Sequence, residues 1–362
     1  MWVMVMRCVF KHHVYLCVVS TALMAGLALT SHTSKAYANQ NCGSSGGGGA
    51  KTINDNVGPI VCDGDVTRTL SSTSGGDIKI NMDTGPGKSA GAAVTVRGSG
   101  TNITIMKKIT VKGSGGSGLP VIKVYGGGKL TLNEDVDVGG ATIKKEIVVD
   151  GENSSVTLNG VLTGFEGVQV NNGGMVVLGE KVTGIEEVKV KINDGGMVNM
   201  MGDVAFNSVG GAGIQITGDG AGKATVMGVG SGKTVTMTVN GTGADGIQMD
   251  GAGKIDATVM GLKIVGSGGM GVEIEVKGGG TGIMVSGSGA TVSMTQGKIM
   301  GKSGGNFGVQ MMGGTGTVEL TSVGIEGFKK GVEATNGTLK MMGGRLRLRV
   351  GRGILGCRWG VG

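Results

Sequence analysis

Histidine is confined to the first 32 residues. The chain has three, His12, His13 and His32, and all fall within Met1–Ala38, a segment with the marks of a secretory leader. Arg7 and Lys11 give it a positive start, Val14 to Leu29 is a mostly apolar run, and Ala36-Tyr37-Ala38 forms an A-x-A cleavage site at Ala36 and Ala38. With the leader removed no histidine remains, which excludes most nucleophilic hydrolase chemistry. The G-x-S-x-G match at Gly301–Gly305 has no base to activate Ser303. Proline is almost as scarce, at 3 residues, although glycine reaches 79. Glycine with neither a three-residue period nor proline excludes collagen. Aromatics are 3% of the chain. Beyond the leader, Tyr125, Phe165, Phe206, Phe307 and Phe328 are too scattered for the platforms that sugar-binding clefts use.

Charge of one sign is also lacking. The formal charge of +7 includes three basic residues of the leader. Removing them leaves 30 basic and 26 acidic residues, or +4. All of that excess comes from Arg345–Gly362, where five of 18 residues are arginine against three in the preceding 344. Without this tail the mature chain carries −1, so the high pI is no argument for a nucleic-acid partner.

What is present is alternation. Gly167–Gly184 reads Gly-Val-Gln-Val-Asn-Asn-Gly-Gly-Met-Val-Val-Leu, then Gly-Glu-Lys-Val-Thr-Gly, and is nearly repeated to Met201. Val168 and Val170, two apart, share one strand face. Asn-Asn-Gly-Gly supplies residues that tolerate positive φ, and Met175–Leu178 is a second short strand. The same apolar pair recurs as Val94/Val96, Ile122/Val124, Ile147/Val149, Val188/Val190, Ile214/Ile216, Ile247/Met249, Ile283/Val285, Val309/Met311 and Val332/Ala334, at intervals of 20 to 36 residues. Second strands follow at Leu130/Leu132, Val156/Leu158, Val292/Met294, Val318/Leu320 and Leu339/Met341, and the two longest gaps hold further strand-like runs, Thr234–Val239 and Val272–Val276. Such units cannot bury their apolar face alone and must stack on copies of themselves. The period fits strands and not helices. The expected fold is all-β, a right-handed parallel β-helix, although spacing does not encode the hand. Alternating strands are expected from about Ile78 to Gly344. Residues 39–77 form a cysteine-containing cap with a Gly/Ser spacer at 43–49, and 345–362 is an atypical Arg-rich tail where the strand pattern stops, read as a foreign end such as translation continuing out of frame after a deletion, with a basic binding tail as the alternative.

Of five cysteines, Cys8 and Cys17 leave with the leader. An oxidising compartment favours a Cys42–Cys62 disulfide, contributing on the order of 3 kcal/mol and holding the first turn of the stack. The 22 methionines follow the strand pattern without histidine or paired cysteine beside them. Met197, Met200, Met201, Met311, Met312, Met341 and Met342 are read as core filler, and no metal or cofactor is expected. The residue between the inward pair is usually polar, Val148 and Met284 being the exceptions, and it makes a candidate binding face of Gln169, Lys189, Gln215, Gln248 and Gln310.

Other motifs are weak. With this much glycine, G-x-G-x-x-G at Gly113, Gly115 and Gly118 arises by chance. Gly228–Thr234 resembles a phosphate loop but has Met227 where glycine is needed and no helix after it. Gly210–Gln215 resembles a calcium nonapeptide with Gln215 in place of Asp. Asp245, Asp250, Lys254 and Asp256 are the densest charged group and the basis of an alternative reading, a carbohydrate-active β-helix lyase or hydrolase.

The leader ending Ala-Tyr-Ala, the early cysteine pair and the Gly-Val-Gln-Val/Gly-Gly-Met-Val repeats resemble the passenger domains of bacterial autotransporters, in particular the repetitive surface autotransporters of Bartonella, over residues 1 to 344. The resemblance implies export by the Sec machinery to the periplasm, cell surface or medium, and adhesion to host cell-surface or matrix molecules. The sequence departs from that family in having no segment able to form the C-terminal membrane barrel. The chain is therefore expected to be a truncated member, a detached passenger or a fragment of a disrupted gene, staying in the periplasm or needing a partner outer-membrane barrel for display.

Overall fold

The computed structural model describes residues 41–358 except 44–47, 85–90, 116–117, 183–184, 187–188, 208–210, 219–222, 229–234, 251–255, 262–271, 288, 303, 314 and 351–352. The leader-like segment, with Ala36 and Ala38, and residues Val188, Lys254 and Ser303 lie outside the described residues. Among those described there is no helix. The chain winds as a parallel β-helix with three strand positions per coil.

The first face is an eleven-stranded parallel sheet running from Ile60–Cys62 to Lys330–Ala334. The second face stacks Gly48–Ile53, Thr67–Ser72 and Asn102–Ile105 through Met197–Met200 to Thr338–Met342. The third face begins as five short strands, Asn56–Val57 to Leu162–Thr163. It continues through Val204–Asn207, Val235–Asn240 and Val272–Lys277. In the last coils the second and third faces fuse into single bent strands, Thr291–Lys302, Thr317–Glu326 and Thr338–Val350. The bend is made at stacked left-handed residues, Gln296 (φ 53°), Ser322 (φ 56°) and Gly343 (φ 63°).

Alternation sets the core. Val168, Val170, Ile214, Ile216, Ile247 and Met249 on the first face are all buried. They meet Val176 and Leu178 from the second face and Val204 and Phe206 from the third in one continuous cluster. Each such aliphatic side chain withdrawn from water contributes about 1.5–3 kcal/mol, and no coil could form this interior alone. The turn after the first face has the expected chemistry. Asn172 (φ 50°) and Gly173 (φ 81°) in one coil align with Asp194 (φ 43°) and Gly195 (φ 87°) in the next, and the amide of Gly174 donates to the carbonyl of Asn171.

Corners are tied along the axis by side-chain ladders. Asn159 Nδ2 donates to Asn133 Oδ1 at 2.9 Å, Asn193 Nδ2 to Asn171 Oδ1 at 2.7 Å, and Asn240 Nδ2 to Asn207 Oδ1 at 2.6 Å. These bonds satisfy polar groups at the rim of an apolar core, where an unpaired group would cost free energy.

Cys42 and Cys62 form a disulfide with Cα atoms 5.3 Å apart. Asn41 bridges Val61 in parallel, so the bond links the same inward position of two adjacent coils. Both cysteines are fully buried and close the core where the stack begins.

Several expectations are corrected. The stacked strands start at Gly48 rather than at about Ile78, so Gly48 and Gly49 belong to a strand and not to a spacer. Pairing does not stop at Gly344, because Arg345, Leu346 and Arg347 continue the ladder against Gly324, Ile325 and Glu326. Met200 and Met311 are core residues and Met341 packs against the core, but Met197 takes an outward, half-buried position of its strand, and Met201, Met312 and Met342 are 38%, 43% and 58% exposed. Each of these four lies next to an inward residue, so the strand period turns it outward whatever its hydrophobicity. Ala334, in the last coil, is exposed.

Glycine placement has one packing cause that alternation does not reveal. On the first face, Gly213, Gly246, Gly282 and Gly308 each precede the first inward residue and fall in one column. A Cβ at Gly246 would stand 2.6 Å from Ile274 Cγ2, and one at Gly282 would stand 2.5 Å from the carbonyl oxygen of Gly308 and closer still to Ile299. The third face leans its isoleucines onto bare backbone there.

Candidate functional site

The first face carries an unbroken outward column. Register places Thr95, Lys123, Val148, Gln169, Lys191, Gln215, Gln248, Met284, Gln310 and Glu333 side by side along the axis. Neighbours in such a column are about 4.7–4.9 Å apart. Four of the five residues expected on this face are in it. Lys189 is not. It pairs with Gly167, one outward position earlier in its strand, and Lys191 stands where Lys189 was expected. The inward pair of that coil is Val190/Ile192 rather than Val188/Val190.

The column has engaged ends and an unengaged middle. Gln169 Nε2 donates to Glu146 Oε2 at 2.7 Å, and Lys144 Nζ lies 2.8 Å from the same oxygen. Toward the other end, Gln310 Nε2 donates to Glu333 Oε2 at 2.9 Å, and Lys330 Nζ lies 2.5 Å from Glu333 Oε1 and 5.3 Å from the Phe307 ring centroid. The hydrogen bonds from Lys330 and Gln310 hold the Glu333 carboxyl below its usual range. Between these ends Lys191, Gln215 and Gln248 are half-buried. Among the described residues none of the three makes a side-chain hydrogen bond. Their ammonium and amide groups face outward from three consecutive coils, on a backbone fixed by the sheet.

A second feature of this face lies near its start. Arg97 bridges Asp63 at 2.8 Å and donates to the Tyr125 hydroxyl at 3.2 Å, while Lys123 Nζ sits 5.0 Å from the Tyr125 ring centroid. These contacts link neighbouring coils at one corner and leave the tyrosine locked by two cations.

Of the charged group weighed for carbohydrate chemistry, Asp245 and Asp250 are not brought together, and Lys254 lies outside the described residues. Asp245 and Asp250 stand at opposite ends of one strand, Asp245–Asp250, about 16 Å apart at the usual rise per residue. Asp256 opens a strand on the second face. Asp245 is buried at the start of its strand and its Oδ1 accepts the Thr281 amide at 2.8 Å. Burial pushes its carboxyl above the usual range, with the Thr281 hydrogen bonds opposing. That role is structural, since the bond joins two coils. Sequence reasoning missed Lys191 as a face residue. The signal that finds it is the turn, because Asp194-Gly195 must align with Asn172-Gly173.

No protein-family model, characterised protein or solved structure matches this chain.

Proposed function

We propose that the rod is an interaction module, the passenger of an exported autotransporter-like protein, and that it presents its first face to host cell-surface or matrix molecules. The observation that carries the reading is the Lys191, Gln215 and Gln248 run. Three consecutive coils hold donors and acceptors in a fixed line, partly desolvated and unspent on the protein itself. A partner that meets them gains hydrogen bonds without having to break existing ones or order a loop. Export by Sec, and display through a partner outer-membrane barrel, rest on the leader-like segment and on the resemblance of the repeats.

Each hydrogen bond of this kind contributes about 0.5–1.5 kcal/mol, so the combined variant Lys191→Ala/Gln215→Ala/Gln248→Ala should weaken adhesion to host cells or matrix proteins by more than about tenfold. The circular dichroism spectrum should not change, because all three residues face outward. Undiminished adhesion by the folded variant would remove the proposal.

A further inference from the structure

Three methionines of the second face are not where packing would use them. Met175–Leu178, Met197–Met200 and Lys223–Gly228 stack in register on consecutive coils. Their inward residues Val176, Leu178, Val198, Met200 and Val226 are buried. Met175, Met197 and Met227 take outward positions and are half-buried. Met175 pairs with Met197, so their Cα atoms are about 4.8 Å apart. Met227 pairs with Asn199, one coil on and two residues along from Met197, which puts it about 8 Å from Met197 at the usual strand spacing and rise.

Asn199 stands in the middle of this group. It shares a strand with Met197, neighbours Met227 across the sheet, and donates from Nδ2 to Met175 Sδ at 3.5 Å. That bond leans the Met175 thioether along the sheet toward Met227. Asn199 Oδ1 is buried and accepts from no donor, although a buried acceptor is costly to leave unsatisfied. A metal–sulfur bond is about 2.3 Å, so a trigonal site holds its three sulfurs about 4 Å apart. The sheet spacing already brings Met175 and Met197 close to that separation, and the three rotatable bonds of each side chain let Met227 close the third side.

We infer that Met175, Met197 and Met227 form a binding site for a soft monovalent cation, Cu(I) or Ag(I), with Asn199 Oδ1 as a weak fourth donor. Thioether sulfur selects Cu(I) over harder ions. Calcium and magnesium require oxygen ligands, and among the described residues no group of three or more His, Cys, Asp and Glu is placed to hold a metal. All four donors are neutral, which suits one positive charge better than two. An apolar protein partner fits less well, because it would cover Asn199 Oδ1 further without supplying a donor. The site lies on the second face and Lys191, Gln215 and Gln248 on the first, so either can fail without the other.

The test uses the mature chain carrying Cys357→Ser, which has no histidine and no free thiol to compete for the ion. It is titrated with silver nitrate in chloride-free buffer, Ag(I) being the redox-stable ion of the pair, and binding is followed by calorimetry. The chain should take up one Ag(I) per molecule. Met175→Leu/Met197→Leu/Met227→Leu, which nearly conserves side-chain volume, should take up none. Met197→Leu alone keeps a readout if the triple variant does not fold, and it should weaken binding at least as much as the loss of a supporting residue does, about tenfold. Met312→Leu/Met342→Leu, at outward methionines elsewhere on the rod, should bind like the parent chain. The inference is overturned if the folded parent chain takes up no Ag(I), if the folded triple variant binds it unchanged, or if Met312→Leu/Met342→Leu lowers binding as much as the triple variant. Binding of zinc nitrate as tight as that of Ag(I) would overturn it as well.

Discussion

Gly282→Ala and Gly167→Ala are the same change at the same motif position, yet the structure assigns them opposite signs. Both glycines precede the first inward residue of a first-face strand, in Gly-Ile-Met-Val and Gly-Val-Gln-Val. At Gly167 an added Cβ would meet the Lys189 carbonyl oxygen at 3.5 Å and Glu146 Cγ at 3.6 Å, which is ordinary contact. Replacing glycine there removes freedom from the unfolded chain and should stabilise by about 0.4–1 kcal/mol. At Gly282 the Cβ would stand 2.5 Å from the Gly308 carbonyl oxygen, with Ile299 nearer still. The oxygen belongs to backbone and Ile299 is fully buried, so neither can move without opening the stack. Overpacking of this kind costs about 1–3 kcal/mol, which outweighs the entropic gain. Urea unfolding followed by far-UV circular dichroism should give a lower midpoint for Gly282→Ala and an equal or higher one for Gly167→Ala. Equal midpoints for the two variants would refute the claim that third-face side chains rest on bare first-face backbone.

Three further outcomes follow. Cys42→Ala/Cys62→Ala should lower stability by about 3 kcal/mol in the chain-entropy view, with hydrogen exchange rising first in Gly48–Cys62, because the 20-residue separation encloses only the first coil. Phe328→Ala should cost about 3–5 kcal/mol, since this fully buried ring fills the space left by Gly301, Gly305 and Gly308; a thermal midpoint close to wild type would contradict that. Asp245 is raised in the folded state by burial, so its favourable contribution is complete below its unfolded pKa and is lost as pH rises through the folded value. Asp245→Asn should flatten the fall in stability across that acid window, and an unchanged pH profile would count against the buried carboxylate.

The stack was legible in the sequence because its cause is local. Two-residue alternation names the inward set, as at Val168, Val170, Ile214 and Ile216, and the Asn-Gly corners mark where each coil turns. The error at Lys189 shows the limit of that logic. Val188, Val190 and Ile192 have the same parity, so alternation accepts either Val188/Val190 or Val190/Ile192 as the inward pair. Only the distance to the corner at Asp194-Gly195 decides between them. Met197, Met201, Met312 and Met342 face outward because strand parity, not hydrophobicity, sets the direction of a side chain. The glycine column is illegible for a different reason: it depends on Ile274, Ile299 and Ile325 of another face, far away in the chain. The proposed interaction face is half legible. Its residue types could be read, but which side chains remain unspent depends on Glu146 and Glu333, whose reach only coordinates reveal.

The most direct test of the stacked register is paired cysteines in a chain with Cys357→Ser. Strand neighbours in one column have Cα atoms about 4.8 Å apart, within the range a disulfide spans, whereas a two-residue offset takes the separation to about 8 Å, beyond it. Under mild oxidation, Lys191→Cys with Gln215→Cys should cross-link rapidly and nearly completely, and Lys189→Cys with Gln215→Cys should not. Cross-linking of the second pair in preference to the first, or of neither, would contradict the coil-on-coil arrangement from which every other statement about this protein is built.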